Sequence, residues 1–197
     1  MSGTIRTFVA IPIPDAVAVW LQQIQAQLRS PSLKIRWVAT ANIHLTLKFI
    51  GDIDPSRIPE IAAQMHAAAG TIPSFWLEAK GVGAFPNLRK ARVLWVGLTG
   101  DLERLRILQT NLETGLETVG FNREGRNFRA HLTIGRARQQ LDAPTIGASL
   151  EPLKDAASGA FRVDRLSLYQ STLKPAGAQY TLLHTVHLES APDSADA

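Results

Sequence analysis

The sequence predicts an α+β fold made of two related lobes that face each other. Three observations carry this reading. Short β-forming segments alternate with amphipathic helical segments along the whole chain. The stretch "HLTLKF", beginning at His44, returns as "HLTIGR" at His131, once in each half and each time after a helix. The composition, 45% hydrophobic and 19% charged over 197 residues, is that of a globular chain able to bury a core.

Thr7 to Ile11 is apolar and rich in β-formers, so it is the first expected strand. Pro14 and Asp15 open a helix that places Val17, Trp20, Leu21, Ile24 and Leu28 on one face, and Ser30 and Pro31 stop it. Lys34 to Val38 is a strand. In Ile43 to Ile50, Ile43, Leu45, Leu47 and Phe49 alternate with His44, Thr46 and Lys48, the period of a strand with one apolar face. A second helix runs from about Ser56 to Ala69 and closes at Gly70, where a left-handed cap is expected. Phe75 to Phe85 and Val93 to Leu98 are strands joined by a Pro-Asn turn. A third helix, from about Leu102 to Val119, aligns Leu105, Leu108, Leu112, Leu116 and Val119. An arginine-rich loop leads to the strand Ala130 to Arg136. A short helix around Pro144 to Leu150 and the strands Arg162 to Tyr169 and Tyr180 to Leu188 complete the pattern. Residues 1–188 are expected to form one bilobal domain, and 189–197, with "SAPDSADA", a polar tail.

Composition excludes several chemistries. With no cysteine, disulfides and thiolate catalysis are ruled out, and a zinc site would need His, Asp and Glu alone. His66 lies in an alanine-rich helix and is expected at the surface. His184 and His187, three apart on a strand, face opposite ways, so neither arrangement makes a metal pair, and no cofactor is expected. No segment reaches the ~20 apolar residues of a membrane span, and the first residues lack the pattern of a secretory leader. A cytoplasmic monomer is the expectation. The net charge of +4 suits a polyanionic partner, and Arg123, Arg126, Arg129, Arg136 and Arg138 bracket the second motif.

The repeated motif carries the chemistry. On a strand, His44 and Thr46 share one face, as do His131 and Thr133, while Leu45, Leu47, Leu132 and Ile134 fill the other. Two such strands brought together offer two imidazoles and two hydroxyls, a set suited to a phosphodiester. One imidazole can take a proton from the attacking oxygen and the other give one to the leaving oxygen. The hydroxyls can donate to the non-bridging oxygens, where charge accumulates. Lys48 shares the face of His44 by strand parity. Arg136 falls on the other parity and reaches the pocket only where the strand bends or ends at Gly135.

"NIHLTLKFIGDI" at Asn42 to Ile53 and "FRAHLTIGRAR" at Phe128 to Arg138 resemble the two signature motifs of the two-histidine phosphoesterase superfamily. With "TFVAIPIP", "GVGAFPNLRKARVLWVGL" and "LSLYQSTLKPAGAQYTLL", the chain is similar from about Thr7 to Leu188 to its RNA 2',3'-cyclic phosphodiesterase branch, historically named 2'-5' RNA ligase. The resemblance implies two antiparallel sheets with flanking helices, related by a pseudo-twofold, with the active site in the central cleft. It implies metal-independent opening of a terminal RNA 2',3'-cyclic phosphate to a 2'-phosphomonoester. His44 would be the proton donor, His131 the proton acceptor, and Thr46, Thr133 and Arg136 phosphate contacts. Phe8 or Tyr169 would stack on the terminal base. The symmetry of the two motifs does not itself assign acid and base. Ala130 stands where the family commonly has proline, a change at the strand's start that leaves the chemistry in place. Rival readings are 2'-5' ligation of RNA ends, hydrolysis of a small cyclic phosphate or 2'-5' oligonucleotide, and an RNA-binding module without catalysis.

Overall fold

The computed structural model describes residues 3–30, 33–70, 72–175 and 177–190. Among the described residues, nine strands and four α-helices follow in the order β1 (Ile5–Pro12), α1 (Asp15–Leu28), β2 (Ile35–Trp37), β3 (His44–Ile53), α2 (Ile58–Ala69), β4 (Phe75–Phe85), β5 (Val93–Gly100), α3 (Leu102–Thr118), β6 (His131–Ala137), α4 (Ala143–Leu150), β7 (Ala157–Val163), β8 (Arg165–Lys174) and β9 (Gly177–His187). These elements form two antiparallel sheets. The first has the order β3-β1-β8-β9 and the second β2-β6-β5-β4-β7. With β2 set aside, each sheet has four strands, and the two motif strands, β3 and β6, stand at equivalent ends, beside β1 and β5.

The expected α+β architecture is present. The helical periodicity turns into burial, since Val17, Leu21, Ile24 and Leu28 of α1 and Leu105, Leu108, Leu112 and Leu116 of α3 are at most 3% exposed. Helices α2 and α3 pack on each other, α2 also meeting β9 and α3 meeting β3, while α1 reaches across to β7. One continuous apolar core lies beneath both sheets.

Two local expectations need correction. Gly70 caps α2 with φ of −65°, in the right-handed region, so the stop is not a left-handed turn. The expected single strand from Arg162 to Tyr169 is two strands in different sheets, for β7 pairs with β4 and β8 pairs with β1. Asp164, the residue between them, is where the chain changes sheets, and its carbonyl accepts from Leu188 N at 2.8 Å. The expected polar tail falls from residue 191 outside the described residues. Glu189 is tied down, its carbonyl accepting from Ser74 N at 2.8 Å.

The two motif strands are brought together by β2. It pairs with β6, then Val38 N donates to Ile134 O at 3.0 Å, and a 3₁₀ turn at Thr40–Asn42 feeds β3. Buried Gln25 of α1 fixes this junction, its amide donating to Val38 O at 2.7 Å and Ile134 O at 2.9 Å. A side chain read only as part of a helix therefore joins the two motifs.

Candidate active site

Both histidines are held the same way. Nδ1 of His44 lies 2.9 Å from the carbonyl oxygen of Asn42, and Nδ1 of His131 lies 2.7 Å from that of Arg129. A carbonyl only accepts, so each Nδ1 carries the proton, and Nε2 is left as the nitrogen that exchanges one. The backbone two residues earlier thus selects the tautomer in each motif.

Their surroundings differ. The ring of His44 stacks on Phe8 at 4.7 Å between centroids and meets Tyr180 edge-on at 5.2 Å. Burial pushes its pKa down from 6.5 to about 4, against the opposing effect of the Asn42 carbonyl. His131 meets Phe85 edge-on at 5.0 Å, and the guanidinium carbon of Arg129 lies 6.0 Å from the centroid of the same ring. Thr46 stands opposite Ala10 and Thr133 opposite Trp95, each on the face of its histidine. Trp95 lies flat over Gly83, where an added Cβ would sit 2.3 Å from the indole, so that position accepts only glycine.

Each motif strand contains a bulge at the same place. Opposite β1, Val9 and Ala10 face Lys48 and Thr46, which leaves Leu47 as an extra residue. Opposite β5, Leu94 and Trp95 face Gly135 and Thr133, which leaves Ile134 extra. A bulge inverts the alternation beyond it, so Leu47 and Lys48 both point inward, as do Ile134 and Gly135. Gly135 fits because an added Cβ would sit 2.7 Å from Ile35 Cγ2.

This bulge corrects the reading of Lys48. Its side chain is 1% exposed, and Nζ donates to Glu113 Oε2 at 2.8 Å and to Asn122 O at 2.6 Å. Lys48 is therefore a buried strut between β3, α3 and the loop that leads to His131, and not a phosphate contact. Phe49, expected on the core side, is 56% exposed instead. The equivalent bulge returns Arg136 to the face of His131. Phe8 also departs from expectation: it is 3% exposed, packed against the rings of His44, Tyr169, Tyr180 and Phe49, and has no free face for a base.

A cavity of about 310 Å³ is lined by His44, Tyr169, Tyr180, Asn42, Pro12 and neighbouring residues. Tyr180, Asn42 and Trp95 were not singled out by the sequence. The signal for Asn42 was its place two residues before the motif histidine; Tyr180 carried none, because its position depends on the pairing of β9 with β8. Burial raises the pKa of Tyr180, and the charges of Arg136 and Arg6 partly oppose that, so the phenol stays protonated near neutrality. Among the described residues, no three His, Asp or Glu side chains are grouped to hold a metal ion.

The fold and the twin motif define a class of two-histidine phosphoesterases, and comparison with known proteins agrees. The family model described as LigT like Phosphoesterase matches residues 11–95 and again 96–180, and the chain belongs to that family. It is 30% identical over 184 residues to the RNA 2',3'-cyclic phosphodiesterase of Methanothermobacter thermautotrophicus, covering 93% of this chain and 99% of that one. It is 32% identical over 194 residues to the protein of that name from Thermotoga maritima, covering 93% and 96%. Among solved structures, E. coli LigT complexed with 3'-AMP superposes with a TM-score of 0.77 at 26% identity, covering 94% and 98% of the two chains.

Proposed function

We propose that this protein is an RNA 2',3'-cyclic phosphodiesterase that opens a terminal cyclic phosphate to a 2'-phosphomonoester. The observation that carries the reading is the matched pair of histidines, each fixed as the Nδ1–H tautomer on equivalent strands, within a chain of the LigT-like family. His131 Nε2 takes a proton from water as its oxygen attacks phosphorus. The bond from phosphorus to the 3'-oxygen breaks, and His44 Nε2–H gives that oxygen its proton. Thr46, Thr133 and Arg136 hold the non-bridging oxygens, whose charge rises in the transition state. Tyr169, which packs on Phe8 and lines the cavity, stacks on the terminal base.

A proton donor must carry a proton, yet burial leaves His44 neutral at pH 7 in the free enzyme. The substrate resolves this. A phosphodiester is an anion, and a negative charge beside an imidazole raises its proton affinity. Binding therefore loads the acid at the moment that it is needed. The protein acts as a cytoplasmic monomer of one bilobal domain on RNA ends. The test is to incubate it with a short RNA ending in a 2',3'-cyclic phosphate and analyse the product. A 2'-phosphate end made by the wild type, and lost in His44→Ala and His131→Ala, is the expected result. RNA bound and unchanged by the wild type would favour a binding module instead.

A further inference from the structure

Across the pairing of β2 with β6, Arg36 stands directly opposite Arg136. Like charges in register repel, and cross-strand neighbours at such positions are stabilising when their signs differ. No carboxylate offsets this pair, for neither arginine, nor Lys174 nearby, is in an ion pair among the described residues. All three line a second cavity of about 320 Å³, together with Asn42, Gln179 and Tyr180, and no acidic side chain lines it. Asn42 and Tyr180 also line the cavity that holds His44, so the two cavities share a wall. A cluster of cations built without a counterion, continuous with a reaction site, is complementary to a second anion on the same substrate.

We infer that this cavity binds the phosphodiester one nucleotide upstream of the reacting end, with Arg36 and Lys174 as its ionic contacts and Gln179 as a polar one. The inference rests on the proposed function and adds a substrate requirement: the enzyme selects RNA ends over free mononucleotides. The repulsion between Arg36 and Arg136 is eased when that phosphate neutralises Arg36 while Arg136 holds the reacting one. Each further phosphate contact also steepens the dependence of binding on salt.

The test compares kcat/KM for a dinucleotide ending in a 2',3'-cyclic phosphate with that for a mononucleoside 2',3'-cyclic phosphate, in the wild type, Arg36→Gln and Lys174→Gln. The wild type should prefer the dinucleotide by about tenfold or more, as a charge-assisted phosphate contact provides, and each variant should lose most of that preference. A dinucleotide whose internal linkage is a neutral methylphosphonate checks the same point without altering the protein, and it should react no better than the mononucleotide. Equal kcat/KM on the natural dinucleotide and the mononucleotide, or a preference that survives both the variants and the neutral linkage, overturns the inference and leaves the catalytic reading standing. No turnover of any of these substrates by the wild type overturns both.

Discussion

At the scale of single residues, the two histidines share a tautomer and differ in burial, and the consequences can be measured. Replacing either with alanine should lower kcat by about 10²–10⁴-fold, the usual worth of a positioned acid or base. Their roles separate with a substrate whose 3'-oxygen is sulfur, because a thiolate leaves without needing a proton. That substrate should rescue His44→Ala and not His131→Ala; rescue of the other variant would reverse the roles. The low pKa of His44 also sets a limb of the pH profile. For the free enzyme, read in kcat/KM, the fraction of His44 able to give a proton should fall as pH rises above about 4, and in kcat that fall should move to higher pH as the bound phosphate favours the protonated ring. Stability follows the same group. Between 6.5 and about 4 the unfolded chain holds a proton that folded His44 has released, so stability is retained above that window and lost as pH falls through it. The loss attributable to His44 is on the order of 3 kcal/mol, and a urea titration of His44→Gln across this range should show a shallower decline. The shared face of each His and Thr pair was legible in the sequence, because alternation alone puts them there. Phe8 was misread because burial against His44 is a property of the curled sheet and not of the strand.

At the scale of elements, the bulges in β3 and β6 decide which side chains reach the cleft. In the second motif Gly135 marked the irregularity. In the first, nothing in "LKF" does, so strict alternation sent Lys48 to the cleft and Phe49 to the core, and the structure has them reversed. Lys48→Met should leave Glu113 buried without its cation and cost about 3–5 kcal/mol, while the double variant with Glu113→Leu should recover most of that. Chemical denaturation of the single and double variants checks this, and equal losses in both would contradict the pairing. Gln25→Ala removes the donor that Val38 O and Ile134 O share, with an expected cost of about 1–3 kcal/mol. A further meeting of elements was invisible to local reading: His66 of α2 and His184 of β9, 118 positions apart, lie with their Nε2 atoms 3.3 Å from each other. Strand spacing could exclude His184 with His187 but says nothing about a helix packed behind the sheet.

At the scale of the whole molecule, the two sheets place their motif strands alike while the chain interlaces them. The family model divides the chain at 95 and 96, yet β8 and β9 return from the second half to complete the sheet of β1 and β3. Neither half therefore contains a full sheet of its own. A single cooperative unfolding transition is expected, seen alike by tryptophan fluorescence and far-ultraviolet circular dichroism, and two separate transitions would contradict one bilobal domain. The number and type of elements were legible because periodicity is local. The sheet that each strand joins was not, as the merged reading of Arg162 to Tyr169 shows, because the segments on either side of Asp164 are both extended and differ only in their distant partners. The central claim, attack of water at phosphorus with departure of the 3'-oxygen, is tested most directly by turnover of an RNA 2',3'-cyclic phosphate in ¹⁸O-labelled water with excess EDTA. The expected product is a 2'-phosphate carrying one ¹⁸O on a non-bridging oxygen and an unlabelled 3'-hydroxyl; a 3'-phosphate, or turnover that stops when EDTA is present, would contradict it.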